Sequence, residues 1–179
     1  GVLVLDSKGT LVGKGFHQKA GESHAEVFAL NEAGEKARGG TVYVTLEPCC
    51  EFHGKRTPAC SKRIVQSGVK RVVIASLDPN PPVHGKGVEA LQKAGIDVSV
   101  GCLSEVSDFL NAPYRKWIAT QHPFVTAKAA ISADGKIGTR GRRLILSGEA
   151  AQRRTMHLRA QAGAILAGVG TIVNDDPLL

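Results

Sequence analysis

The chain has 179 residues, 42% hydrophobic and 22% charged, the make-up of a soluble globular protein of one domain, or one domain and part of a second. No apolar run approaches the ~18–20 residues of a membrane helix, and the first residues lack a signal-peptide pattern. A net charge of +7 with only 4% aromatic residues favours a phosphorylated small molecule over nucleic acid, because base stacking needs rings.

In chain order, Val2–Leu5, the turn Ser7-Lys8-Gly9-Thr10 and residues 11–16 predict a β-hairpin. Ser23 with Glu26 three residues on forms a capping-box pattern, opening a helix over Val27, Phe28, Leu30 and Ala33 that ends near Arg38-Gly39-Gly40. Thr41–Leu46 is β-branched and predicts a strand. After a polar loop over 47–57, Thr57-Pro58 supplies an N-cap and N1 proline for a helix to Gln66, with Gly68 beyond its end. Residues 70–76 predict a second apolar strand, Asp78-Pro79-Asn80-Pro81-Pro82 a loop, 88–94 a short helix stopped by Gly95, and 96–100 a strand. Strands alternating with helices predict a layered α/β sheet with parallel crossovers.

Residues 104–120 read as a helix interrupted by Pro113 and connecting two domains. Beyond them, a strand over 123–128, a helix over 149–161 and a strand over 164–168 are too short to complete an α/β domain. The expected division is therefore 1–120 and 121–179, the second being the front part of a longer unit. The abrupt opening on a strand and the ending in mid-pattern lead us to expect that both termini are cut.

Three of the four cysteines, Cys49, Cys50 and Cys60, fall within twelve residues, and Cys102 stands apart as an expected small core residue. With no secretory signal, clustered Cys and His point to metal rather than to disulfides. A zinc centre that performs chemistry takes three protein ligands and keeps one position open. His24, Cys49 and Cys60 supply such a set, with Cys50 able to compete with Cys49. Glu26 is the carboxylate able to move protons without binding the metal. Residues two apart on a helix point about 200° from each other, so His24 and Glu26 converge only if His24 sits at the helix start. Taken singly, Glu26 also reads as a cap, His24 as structural and the thiols as core. Their combination, with Pro48 before Cys49, favours the metal.

The stretches GFHQKAGESHAEVFAL, TVYVTLEPCCEFHGKRTPAC, SLDPNP, AAISADGKIGT and LAGVGTIVNDDPLL resemble the bifunctional riboflavin-biosynthesis deaminase/reductase family of the cytidine-deaminase-like superfamily. The ten residues between Cys49 and Cys60 match that family's long zinc loop, where nucleoside and tRNA deaminases have Pro-Cys-x-x-Cys. The resemblance implies a three-layer mixed sheet with helices on both faces, followed by the front of a dihydrofolate-reductase-like α/β domain. It implies zinc-dependent hydrolytic deamination of a diaminopyrimidinone ribosylamino 5′-phosphate. Matched substrate positions are His17, Lys55 or Arg56, Thr57, Asp78 and Asn80. In the second unit Ala130, Thr171 and Asp175 match NADPH-contact positions, and Arg159 and Leu179 match positions that touch the reductase substrate. The family's first helix and its Pro-Asn-Pro segment have no counterpart, and Leu144-Ile145-Leu146-Ser147 stands where the family has Trp-Ile-Thr, so no reductase activity is expected from these residues alone. The expected partner is a phosphorylated small molecule, with no nucleic acid or membrane and with a homo-oligomer left open. The expected location is the cytoplasm, or the plastid if the source is a plant. The alternatives are another nucleoside or tRNA deaminase, and a non-catalytic module with a structural zinc.

Overall fold

Along two strands, buried Val2, Val4, Val42 and Val44 alternate with exposed Leu3 and Tyr43, which fixes one face of each toward a core. The structure, a computed structural model, describes the chain apart from residues 20, 54, 56, 140–143, 178 and 179 and the side chains of residues 174 and 175. Arg56, Leu179 and the Asp175 side chain therefore lie outside the described residues. The chain divides into two units, Gly1–Phe124 and Val125–Leu179.

The first unit is built on a five-stranded sheet of order β2-β1-β3-β4-β5. Its strands are β1 (Val2–Leu5), β2 (Leu11–Gly15), β3 (Thr41–Leu46), β4 (Arg71–Ser76) and β5 (Asp97–Val100). Strand β1 is antiparallel to both neighbours, whereas β3, β4 and β5 are parallel, so the sheet is mixed. At the β1–β2 turn Gly9 has φ +85°, and the Asp6 carboxylate accepts the Lys8 and Thr10 N–H groups at 2.8 and 2.9 Å.

Helices α1 (Ala25–Ala33), α2 (Cys60–Ser67) and α3 (Lys86–Lys93) contribute Ala29, Leu30, Ile64 and Leu91 to one core with Val4, Val42, Val72 and Ile74. The opposite face, with Leu3, Tyr43, Val73 and Ala75, carries α4 (Ser104–Leu110) beside an apolar groove of about 910 Å³. Helices thus lie on both faces of the sheet. Helix α5 (Ala112–Thr120) follows α4, with Pro113 in its first turn, where a missing N–H costs nothing.

Helix α1 lies almost directly on β2. A Cβ at Gly13 would stand 2.1 Å from the Ala29 carbonyl oxygen, and one at Gly15 would stand 2.3 Å from that of Ala25. Gly13→Ala is therefore expected to destabilise the fold by ~1–3 kcal/mol, the range for overpacking, read from the urea midpoint. An unchanged midpoint would show that α1 can slide away from β2.

In the second unit, α6 (Glu149–Gln161) forms where a helix is expected, and α7 (Val169–Asp175) follows. The expected strands over 123–128 and 164–168 are not formed, with Val125 and Leu166 exposed. A strand needs a neighbour to complete its hydrogen-bond ladder. No helix among the described residues is long and apolar enough to cross a membrane.

Candidate metal centre

Strands β2 and β3 are each antiparallel to β1, so they run the same way, and β4 runs parallel to β3. The starts of α1 and α2, and the segments leaving β3 and β4, consequently gather at one end of the sheet. Loops at the C-terminal ends of parallel strands are where open α/β sheets bind ligands. Leu46 is paired with Ser76, so Glu47–Cys49 and Leu77–Asn80 leave the sheet side by side.

The residue that caps α1 is His24, not Ser23 as the capping-box pattern suggested. With φ −74° and ψ 164° it is extended, so its ring does not follow the helical phase and can face the side where Glu26 lies. Glu26 falls at the second helical position rather than the third, so the reciprocal capping box is not formed. In the same way α2 is capped by Ala59 and begins at Cys60, two residues later than Thr57-Pro58 indicated. The first N–H groups of that helix are turned to Cys49, where the positive helix end favours thiolate.

His24, Cys49 and Cys60 present ligand atoms that all lie within 4.8 Å of one another. The His24 Nδ1 is 3.5 Å from the Cys49 Sγ and 3.3 Å from the Cys60 Sγ. Tetrahedral zinc bonds of ~2.0–2.3 Å would place such N and S atoms ~3.6 Å apart, so the donor set fits zinc in both chemistry and spacing. The Cys60 N–H points at the Cys49 sulfur (3.4 Å), and the Ser61 N–H donates to the Cys49 carbonyl (3.1 Å). Among the described residues no fourth protein donor joins the group. Cys50, the competitor for Cys49, is buried with its thiol directed at the Pro82 carbonyl (3.6 Å). Cys102 is exposed in the turn after β5, which corrects its expected place in the core.

The cluster is electrostatically coupled. Cys60 beside it, helped by the His24 ring and Lys55, holds the Cys49 thiol well below the usual thiol range. Contact with Cys49, and burial, push Cys60 the other way. The Cys49 sulfur raises His24. The Glu26 carboxyl is buried beside Cys60 and within reach of His24 and Cys49. Burial is the main cause raising its pKa, opposed by its own backbone N–H.

Of the expected substrate residues, His17, Lys55 and Asp78 lie within reach of this cluster. The His17 ring stands edge-on to His24 at 5.5 Å, and its Nδ1 is 3.2 Å from the Ser23 carbonyl. Lys55 Nζ donates to the Thr57 hydroxyl (3.0 Å) and lies 5.8 Å from the centre of the Phe52 ring. Asp78 is buried, and its Oδ1 accepts the Asn80 N–H (2.9 Å) and the Tyr114 hydroxyl (2.8 Å). Burial raises the Asp78 carboxyl above its ordinary range. Half of that carboxylate is therefore engaged by the fold, which the loop pattern alone did not show. Val83 packs against Cys49 and Cys60, with Phe52 beside them. The apolar groove is lined by none of these residues.

Sequence reasoning missed Tyr114, Val83 and Glu47. Tyr114 and Val83 carry no spacing signal, because α5 and the loop before α3 reach the site only through tertiary packing. Glu47 stands in a polar stretch yet is 3% exposed. Of the positions matched in the second unit, Ala130 precedes α6 outside any helix or strand, Arg159 is in α6, and Thr171 is in α7.

A family model described as the cytidine and deoxycytidylate deaminase zinc-binding region matches residues 1–76, and one for the RibD C-terminal domain matches residues 123–179. Together with the sheet and the His/Cys/Cys cluster, they place residues 1–76 in the class of deaminase zinc-binding regions. The chain is 49% identical over 179 residues to the riboflavin biosynthesis protein RibD of Aquifex aeolicus, an alignment covering 98% of this chain and 49% of that protein. It is 52% identical over 123 residues to the diaminohydroxyphosphoribosylamino-pyrimidine deaminase of Buchnera aphidicola subsp. Schizaphis graminum, covering 69% of this chain and 82% of that protein. Among solved structures, Acinetobacter baumannii RibD superposes with a TM-score of 0.87 at 44% identity, covering 98% of this chain and 49% of that one. The chain belongs to the RibD family of riboflavin-biosynthesis proteins, and it spans about half the length of the curated RibD relatives it matches.

Proposed function

We propose that the first unit removes an amino group hydrolytically from 2,5-diamino-6-ribosylamino-4(3H)-pyrimidinone 5′-phosphate, giving the 5-amino-6-ribosylamino-uracil 5′-phosphate and ammonia. The observation that carries this reading is the set His24, Cys49 and Cys60 with a buried carboxylate, Glu26, placed beside the donors. His24, Cys49 and Cys60 would hold a zinc ion, which when bound would lower the pKa of water toward ~7 and so supply the nucleophile at neutral pH. Glu26 takes the proton from the attacking water and passes it to the departing amine, so that water and amine become carbonyl and ammonia. Burial of Glu26 suits this role, because it raises the carboxyl's pKa and so makes it a stronger proton acceptor than an exposed glutamate. In this reading Asp78 and Asn80 read the pyrimidine edge, supported by the nearness of Asp78 to Cys49, and His17 sits against the His24 ring. Lys55 and Thr57, already hydrogen-bonded to each other, are the groups available for the 5′-phosphate together with Arg56.

For residues 121–179 the proposal is the front part of an NADPH-dependent, dihydrofolate-reductase-like domain. In the whole protein that domain follows deamination by reducing the ribose, and Ala130, Thr171 and Asp175 contribute to the cofactor site.

The test compares ammonia release from the phosphorylated pyrimidine, its dephosphorylated analogue, cytidine and adenosine. Turnover of the phosphorylated pyrimidine alone is expected. Equal turnover of its dephosphorylated form would remove the phosphate role from Lys55, and turnover of cytidine or adenosine would make the protein a nucleoside deaminase.

A further inference from the structure

The geometry points to Glu47 as a positioning residue that fixes the substrate-facing wall of the site against the metal-binding loop. Glu47 stands two residues before Cys49, at the end of β3, where its own N–H donates to the Ser76 carbonyl at 2.9 Å. Its carboxylate reaches sideways into the segment 78–88. One oxygen accepts the N–H groups of Gly85 (3.0 Å) and Asp78 (3.2 Å), and the other accepts those of Gly87 (2.9 Å) and Val88 (3.1 Å). No lysine or arginine pairs with it among the described ion pairs. A buried carboxylate held by four backbone donors, two of them in the first turn of α3, is a strong and directional anchor.

What the anchor holds is a wall of the site. Val83 packs on Cys49 and Cys60, and Asp78 is set by Asn80 and Tyr114. The fit leaves no slack, for a Cβ at Gly87 would stand 2.1 Å from the Pro48 carbonyl oxygen. Glu47 therefore couples the place of Asp78, Asn80 and Val83 to the place of Cys49. The effect on turnover rests on the deaminase reading above, whereas the anchoring itself does not.

Glu47→Gln tests it, since glutamine keeps the shape and one acceptor but aims an N–H₂ at two of the four donors. Zinc content should stay at one per chain, while KM for the phosphorylated pyrimidine rises at least ~10-fold and kcat stays within ~3-fold, because the wall binds substrate but moves no proton. Amide exchange followed by NMR should speed up by at least ~10-fold at Asp78, Gly85, Gly87 and Val88, and not at Val42 or Leu30. Gly87→Ala, which keeps the carboxylate but forces α3 off Pro48, should give the same split of KM from kcat. Unchanged KM and unchanged exchange would overturn the proposal, as would zinc, kcat and KM failing together, which is the mark of a purely structural residue. If the unmodified protein releases no ammonia from the pyrimidine, the deaminase reading fails, and the exchange pattern alone decides whether Glu47 holds the segment.

Discussion

Glu26→Gln is expected to lower ammonia release by at least ~10²-fold while zinc stays bound, the low end of the loss when a general acid–base group is removed. The carboxyl lies beside Cys60 and within reach of His24 and Cys49 but outside the donor cluster, so its loss takes no ligand from the metal. Glutamine has nearly the same volume and fills the same buried space, so the fold and KM should change little. Equal falls in kcat and kcat/KM would show that the interaction matters in the transition state and not in substrate binding. Activity near that of the unmodified protein would reduce Glu26 to an acidic residue at a helix start.

Cys60→Ser should abolish activity by a different route, through loss of the metal. Removing an outer hydrogen-bond partner of a ligand already costs ~10–100-fold in metal affinity, so removing a thiolate ligand should cost at least ~10²-fold. Zinc measured by emission spectrometry after dialysis should fall far below one per chain. Cys50→Ser is the control, because the Cys50 thiol faces the Pro82 carbonyl and lies outside the cluster. Retention of zinc in Cys60→Ser with its loss in Cys50→Ser would reverse the ligand assignment.

Much of the fold is legible where the pattern is local. Val2–Leu5, Thr41–Leu46 and Glu149–Gln161 form over the expected residues, because apolar, β-branched runs or a long helical stretch mark their own bounds, and the two strands each find neighbours on both sides. Helix starts were less legible. Ser23 and Thr57-Pro58 are sound capping residues, yet α1 and α2 start later, so that His24 and Cys60 stand at the helix mouths. The donors themselves were legible because their residue types and spacing carry the chemistry. Glu47 and Tyr114 were not, since their partners lie 31 to 41 residues away in sequence. No window of local sequence distinguishes an acid that four distant N–H groups will surround from one that water will surround.

The hold of Glu47 on segment 78–88 has a further consequence for how selectivity can drift. It grips N–H groups of the main chain, which every residue type except proline possesses. The grip is thus blind to the side chains displayed on the segment, except at Gly87, where there is no room for one, and at Gly85, whose φ of +75° favours glycine. The ligand-reading letters of this loop can be rewritten while its spine stays clamped, so a change of substrate need not disturb the three donors next door.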